Sequence, residues 1–536
     1  MDLFGLKLTG YRRFKNAEIN LSGKLIALIG PNEAGKTSLL EALKRTNESS
    51  ALAQTDITRG ETKSQEEIIL EARYLLDELE RQNLRENLGI NDSKWLFVEK
   101  KRDGRINYRL DPQTEIPNLN SVISTVPEIL QFSEGDRSIP SMTNLEPYTV
   151  TQGIQNLADL ANLDLRNLRN LILTGDQQET WTKIAAANKK LEQEFSWSQN
   201  KALQVSFRVE NTYLRIYINS HDEIFHYLDL RSEGFKQYVA LLAFLQTRRS
   251  DQPKILLIDE AETHLHYQAQ ADLIQMLTHQ NLVKKVIYTT HSLGCLPEDL
   301  GTAIRMIKQQ GDHSVIQNWF WSEEPQSGLS PLLYGIGAGT LAFMALRNAI
   351  ITEGPTDFLL LPTMLRDAIG KEYLDFQVVP GLSAASKTDV GIFEKGAPRV
   401  SYLTDNDKGG RDLCNWLIDK VGIPQDRVLS LPQINGQDTV LEDYLDPVVY
   451  LKAMNITLKE WQKIEFPSTE LPENNRPQKI EEWCELQGKK PPDKRVVAQH
   501  ILENNYSSSI LDQKYCTVFA NLYGEIKNAI SLSTSS

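Results

Sequence analysis

In AIITEGPTDFLLL, Ala349 to Leu361, an apolar run stops at Glu353, Gly354 and Pro355 interrupt it, and Asp357 opens a second apolar run. Further along, VSYLTDND delivers Asp405 and Asp407, followed by Lys408, Gly409 and Gly410. Carboxylates are the ligands that hard divalent cations take. Residues two apart at the end of a strand project to one side, so Asp405 and Asp407 are expected to converge on one cation. Glu353 also ends an apolar run of strand type, and the carboxyl ends of a parallel sheet share one edge. Acids crowded there without a cation would raise one another's pKa. A helix start explains the Glu353–Asp357 stretch equally well taken alone, because Pro near the first helical position and an acid in the first turn are ordinary N-terminal signals.

A second set of residues has the chemistry of a nucleotide site. Gly30-Pro31-Asn32-Glu33-Ala34-Gly35-Lys36-Thr37, with Ser38 following, fits GxxxxGK[ST] between the apolar LIALIG and a leucine-bearing helix, as a P-loop requires. Gly30 and Gly35 let backbone N–H groups around Asn32 wrap phosphate oxygens, Lys36 neutralises the β and γ phosphates, and Thr37 reaches Mg²⁺. In KILLIDEAE, four apolar residues precede Asp259, expected beside the Thr37-bound Mg²⁺, and Glu260, expected to polarise water. His291 in YTTHS could sense the γ-phosphate. Ser232 and Gly234 in RSEGFKQY stand at a helix N-terminus, where a second subunit would meet that phosphate. A lone His or Ser-x-Gly is as readily structural. In this order, however, the motifs resemble the ABC-type ATPase heads of the SMC and OLD (overcoming lysogenization defect) proteins, which implies ATP and Mg²⁺ as cofactors and pairing of heads.

The elements that must position these residues follow from patterning. A chain of 536 residues exceeds one compact core. Strand-like stretches fill the first 110 residues. An Asn- and Leu-rich insertion of helical texture, about 115–200, follows, with IQNLADLANLDLRNLRNLI spaced for a helix. After about residue 345, strands AIIT, FQVVPG, VSYLTDND and RVLSLP alternate with helices, which predicts a second α/β domain with a mainly parallel sheet. The tail from about 450 reads as helical. The expected division is therefore an ATPase domain over 1–345 and a second domain over 346–536, with its core at about 346–450.

Composition narrows the setting. Hydrophobic content of 40% and charged content of 24% suit a globular chain. No long uncharged apolar run suggests a membrane span or signal peptide. Cys295, Cys414, Cys484 and Cys516 form no CxxC pair, which favours a reducing cytoplasm and argues against structural zinc. The net charge of −13 does not exclude nucleic acid, since only a local basic surface has to meet phosphate. Lys100, Lys101, Arg102 and Arg105 are the densest basic run, read either as a solvated loop or as a DNA contact.

The Glu353-Gly354-Pro355-Thr356-Asp357 motif, VVPG with Gly381 and the Asp405-Asn406-Asp407 motif resemble the Toprim domain. Fused behind an ABC-type head, they resemble the OLD nucleases, including the nuclease subunit of the Gabija antiphage system. The resemblance implies that Glu353, Asp357, Asp405 and Asp407 hold one or two Mg²⁺ or Mn²⁺ ions for phosphodiester cleavage. It also implies a further acid at Glu442 or Asp443 and a charge-stabilising lysine at Lys494. The signature reads RSEGFKQ instead of an LSGG-type pattern, and the head lacks the long heptad arms of an SMC protein. The reading is a cytoplasmic, ATP-regulated, metal-dependent DNA endonuclease in antiphage defence. Its expected partners are DNA, further copies of itself as a homodimer or homotetramer, and a helicase-like or other defence protein. The rivals are an ATPase switch or interaction module with a degenerate Toprim domain, a Toprim topoisomerase or primase, and a nuclease acting on RNA.

Overall fold

The computed structural model describes residues 1–536 apart from 89, 91–92, 112–113, 116–124, 196–203, 220–224, 232, 249–251, 264, 266, 320–347, 381–398, 505–508 and 533–536. The chain forms two compact units. Met1–Leu25 with Lys36–Cys295 makes the first, and Ile26–Gly35 with Leu296–Ser536 makes the second. The division passes through the P-loop, and the boundary expected near residue 345 lies outside the described residues.

In the first unit, β1 (Asp2–Tyr11), β2 (Phe14–Asn20), β4 (Ile68–Leu75), β5 (Trp95–Lys101), β6 (Ile106–Leu110) and β7 (Thr114–Glu115) form an antiparallel sheet ordered β2-β1-β4-β5-β6-β7. In a second antiparallel sheet, β11 (Tyr213–Asn219) pairs with β10 (Gln204–Glu210), β12 (Phe225–Tyr227) and β9 (Met142–Asn144). β8 (Glu128–Gln131), β13 (Lys254–Ile258) and β14 (Lys285–Thr289) pair in parallel, with β13 in the middle. Ile255–Ile258 and Val286–Tyr288 are wholly buried, as continuous apolar strands covered on both faces must be.

Three sequence expectations change here. The segment read as an insertion over 115–200 begins inside the core, because β8 supplies the strand beside β13; the helices Gln152–Leu160, Leu165–Thr174 and Gln177–Phe195 come after it. The single helix expected over IQNLADLANLDLRNLRNLI is two. Asn162 turns the chain at φ 53°, and the Asp164 carboxylate accepts from the N–H groups of Arg166 and Asn167, capping the second helix. The basic run divides: Lys100 lies inside, while Arg102 to Arg105 form a turn whose Arg105 is exposed, as the solvated-loop reading expects, and paired. Lys100 is buried with its ammonium donating to the Glu48 carbonyl, Lys101 and Arg105 pair with Glu66, and Arg102 donates to Gln54.

In the second unit, β3 (Leu25–Ile29) pairs in parallel with β15 (Ile304–Gln310), which pairs antiparallel with β16 (His313–Gln317). A Cβ on Gly30 would stand 2.2 Å from the Ile307 carbonyl oxygen, so only glycine lets the chain leave β3 there, at φ 155°. β17 (Asn348–Thr352), β18 (Gln377–Pro380), β19 (Arg399–Thr404) and β20 (Val428–Ser430) form an all-parallel sheet ordered β18-β17-β19-β20. The helix Pro355–Ile369 follows β17 and the helix Lys408–Trp416 follows β19. The helix Cys516–Leu532 packs on β17, β19 and the helix Pro355–Ile369, closing the core with Phe519 and Ile526. The remaining tail forms the helices Pro447–Gln462, Arg476–Leu486 and Lys494–Asn504.

Candidate functional site

The parallel register Thr352↔Leu403 brings the ends of β17 and β19 level, so Glu353 and Asp405 leave the same sheet edge side by side. The backbone N–H of Asp405 donates to Glu353 Oε2 at 3.3 Å. Asp357 serves both readings of its stretch: its carboxylate accepts from the Gly354 N–H at 2.9 Å, capping the helix Pro355–Ile369, and it also faces the other acids. Burial pushes the Asp357 carboxyl up to about 7, with the charges of Glu442 and Glu353 adding to it. Burial and then Asp357, Glu442, Glu353 and Asp407 raise Asp405 well above the usual carboxylate range. Burial, with Asp407 adding, raises Glu353 too.

Asp407 reaches this edge differently from the sequence expectation. β19 ends at Thr404, so strand alternation does not aim Asp405 and Asp407 together. Instead, Asp407 is the N-cap of the helix Lys408–Trp416 and accepts from the Gly410 N–H at 2.7 Å. A Cβ on Gly410 would lie 2.0 Å from the Asp405 carbonyl oxygen, which fixes glycine at this turn.

The adjacent acids Glu442 and Asp443 separate cleanly. Asp443 accepts from the N–H groups of Val440, Asn475 and Arg476, all at 3.0 Å, and so starts the helix Arg476–Leu486. Glu442 is buried and raised by that burial, while the charge of Lys494 pulls it down. Lys494, at the start of the helix Lys494–Asn504, is exposed, yet Glu442 first, and Asp405 and Asp357 after it, hold its ammonium above the ordinary lysine value. Glu442, Lys494 and Thr356 also line a cavity of about 210 Å³ whose other walls include Leu360, Tyr450 and Ile480. The donor set fits a hard cation by type, being carboxylates that raise one another's pKa. Among the described residues, no three His, Cys, Asp or Glu side chains are gathered closely enough to hold a metal ion as they stand.

In the first unit, Lys36 and Thr37 open the helix Lys36–Arg45, with Thr37 exposed and Ser38 half-buried. In the phosphate loop before it, Asn32 is exposed and Gly35 has φ 107°. Burial lowers the Lys36 ammonium to about 8 against the pull of Asp259, Glu262 and Glu260. Asp259 and Glu260 leave the end of β13 and are tied to β14: the Thr289 hydroxyl donates to Asp259 Oδ1 at 2.5 Å and accepts from the Glu260 N–H at 2.7 Å. Glu260 is held at φ 47°, in the left-handed region. Burial and then the charge of Lys36 hold His291 below its ordinary value, so its neutral imidazole offers one N–H.

Two residues of this site were not anticipated. Arg137, in the short helix Glu134–Arg137 after β8, donates to the carbonyls of Asp259 at 2.9 Å and Glu260 at 3.0 Å. Glu262 accepts from the backbone N–H of His291. Glu262 stood two residues beyond the recognised pair, and Arg137 lies more than a hundred positions before it; only pairing of β8 with β13 could have pointed to it. Gly234 stands in the helix Glu233–Thr247, whereas Ser232 and Gly381 lie outside the described residues.

Residues 25–296, slightly more than half of the chain, match the family model described as "AAA domain, putative AbiEii toxin, Type IV TA system". The chain belongs to this AAA-domain family. A second model, described as an AAA domain, matches residues 1–46 of this AAA-domain protein. It therefore carries a P-loop ATPase domain that binds ATP. No curated protein matches it. Among solved structures, the SMC head domain from Thermotoga maritima is 16% identical and covers 59% of this chain and 98% of its own, with a TM-score of 0.34. The Smc head domain bound to the C-terminal domain of ScpA, derived from Pyrococcus furiosus, is 14% identical and covers 59% and 96%, also with a TM-score of 0.34. Among the described residues of this AAA-domain protein, no helix is long and apolar enough to cross a membrane.

Proposed function

We propose that this AAA-domain protein is a nucleotide-regulated, divalent-metal-dependent DNA endonuclease of the OLD type, acting in antiphage defence through a Toprim domain at 346–536. The observation that carries the reading is the meeting of Glu353, Asp357, Asp405 and Glu442 with Lys494 in one unit, each acid raised by burial and by its neighbours. Folds rarely bury repelling carboxylates without a cation to resolve them. Glu353, Asp357, Asp405, Asp407 and Glu442 are the residues that would hold Mg²⁺ or Mn²⁺, which when bound would supply an activated water and charge stabilisation for a leaving oxygen. Lys494 stays protonated beside these acids and faces the phosphate with a positive charge. Asp405 is oriented through the Glu353 carboxylate that accepts its N–H, and Asp407 by its cap.

On the ATPase side, Lys36 and Thr37 would take the phosphates and Mg²⁺, Asp259 would support that ion, Glu260 would polarise water and His291 would sense the γ-phosphate. Ser232 and Gly234 would meet the nucleotide of a second copy. The deciding experiment incubates the full chain with plasmid and Mg²⁺ or Mn²⁺ beside Asp405→Ala. Cutting by the parent alone supports the reading, and equal behaviour of the two sinks it. A second reading, an ATPase switch whose Toprim part does not cut, is favoured by the lack of any ready trio of ligands among the described residues. Calorimetric titration with Mn²⁺ separates the two, because a non-cutting switch would show no heat that Asp405→Ala abolishes.

A further inference from the structure

The sheet formed by β9–β12 has one greasy face and one face made to stack. Register pairs set Arg208 opposite Arg215, Arg215 opposite Met142, and Tyr217 opposite Tyr227. Alternate residues of a strand share a face, so Arg208, Arg215, Tyr217, Phe225 and Tyr227 stand on one side. Val205, Phe207, Leu214, Ile216 and Ile218 are buried on the other. On the outer side, the Arg208 guanidinium lies 4.2 Å from the Phe225 ring centroid and 5.1 Å from that of Tyr217. The Arg215 guanidinium is 5.5 Å from the Tyr227 ring, and the Tyr217 and Tyr227 rings are 5.0 Å apart.

Two features say what this face is for. Phe225 and Tyr227 are 44% and 40% exposed, an unusual placement for rings that could have faced the core. Charge is also left over. Glu210 takes Arg215 in an ion pair and accepts the Tyr217 hydroxyl, whereas among the described residues Arg208 makes no ion pair. In a chain of net charge −13, that is an uncompensated cation set among π faces.

We propose that this face is a stacking platform for single-stranded nucleic acid, with bases laid on Phe225 and Tyr227 and a phosphate held by Arg208. The geometry selects single strands because a duplex turns its base faces inward, while an unpaired base offers a π face to a ring or a guanidinium. The Arg208 cation set beside the rings favours a partner that carries phosphate along with its π faces, which a single strand does. The proposal rests on the reading above that nucleic acid is the substrate, and narrows it to one with an unpaired stretch.

The test uses fluorescence anisotropy of labelled oligonucleotides with the full chain carrying Asp405→Ala, so that cleavage does not intervene. Single-stranded DNA, single-stranded RNA and duplex DNA are compared, with and without Phe225→Ala/Tyr227→Ala. Stacking of one base contributes ~1–3 kcal/mol, so the double variant is expected to weaken single-strand binding by about tenfold or more and to leave duplex binding and ATP binding unchanged. Unchanged single-strand affinity overturns the platform. Should the double variant fail to bind ATP, Arg208→Lys against Arg208→Gln carries the test, since both alter an exposed side chain: a loss in Gln that Lys restores only in part is expected, and no loss in either is fatal. Binding that persists in a parent that never cuts plasmid would sink the nuclease reading and leave the platform standing.

Discussion

The Asp405 N–H points at the Glu353 carboxylate, 3.3 Å away, although the two residues are 52 positions apart. Parallel pairing of β17 with β19 creates this neighbourhood, and the charges of Asp357, Glu442 and Asp407 fill it. Glu353→Gln keeps an oxygen for that N–H and deletes one charge. It is expected to weaken Mn²⁺ binding by about tenfold or more, as changes around metal ligands do, while leaving the melting temperature unchanged or higher. Calorimetry and a thermal melt on the same sample read both; a variant that binds Mn²⁺ as the parent does would remove Glu353 from the site.

Arg137 donates to the carbonyls of Asp259 and Glu260, so it holds the main chain that carries both acids. Arg137→Gln should therefore bind a fluorescent ATP analogue normally and hydrolyse ATP about tenfold more slowly or worse. Lys36→Ala, in contrast, should lose binding itself. Equal effects of the two variants on affinity would contradict the division of roles.

Gly409 and Gly410 look alike in sequence and differ in space. A methyl group on Gly410 would collide with the Asp405 carbonyl at 2.0 Å, whereas on Gly409 it would sit 3.4 Å from Asp407 Oδ1. Gly410→Ala is expected to displace Asp405 and abolish metal-dependent cutting with ATP hydrolysis retained. Gly409→Ala should cut within a few-fold of the parent. Plasmid assays of the pair, run side by side, would show whether the turn is as tight as the backbone implies.

Asp299 is an acid whose task is structural. Burial alone would raise its carboxyl, but the Arg366 charge and the hydrogen bonds from Thr302 outweigh burial and hold it below the usual range. Because its folded pKa is depressed, its contribution is complete above the unfolded value near ~3.9 and disappears as pH falls through the folded value. Asp299→Asn should cost about 3 kcal/mol near neutral pH, as breaking a buried pair does, and should flatten the acid limb below about pH 4. Denaturant unfolding across that window is the measurement. An acid limb as steep as the parent's would reassign the dependence to other carboxylates.

Much of this was legible because local rules and global fold agree at the strands. LIALI, ILLI and AII are apolar throughout, and each delivers its motif at a sheet edge as continuous buried strands do. What sequence could not separate were neighbours with the same chemistry. Glu442 and Asp443 differ only in which way the turn aims them, and Asp407 reaches the acids through a helix cap and not through strand alternation. Arg137 was hidden for a different reason: its partners are main-chain carbonyls, which leave no trace in residue type. Helical periodicity likewise ran straight through Asn162, where one left-handed residue was enough to divide a helix.

Glu260 sits at φ 47°, a conformation that costs a non-glycine residue roughly 1–2 kcal/mol. The protein thus carries a standing thermodynamic handicap at the very residue proposed to act on water. Glycine there would relieve it, giving a sturdier molecule with an idle nucleotide site, so a screen for heat resistance and a screen for turnover would pull this one position in opposite directions.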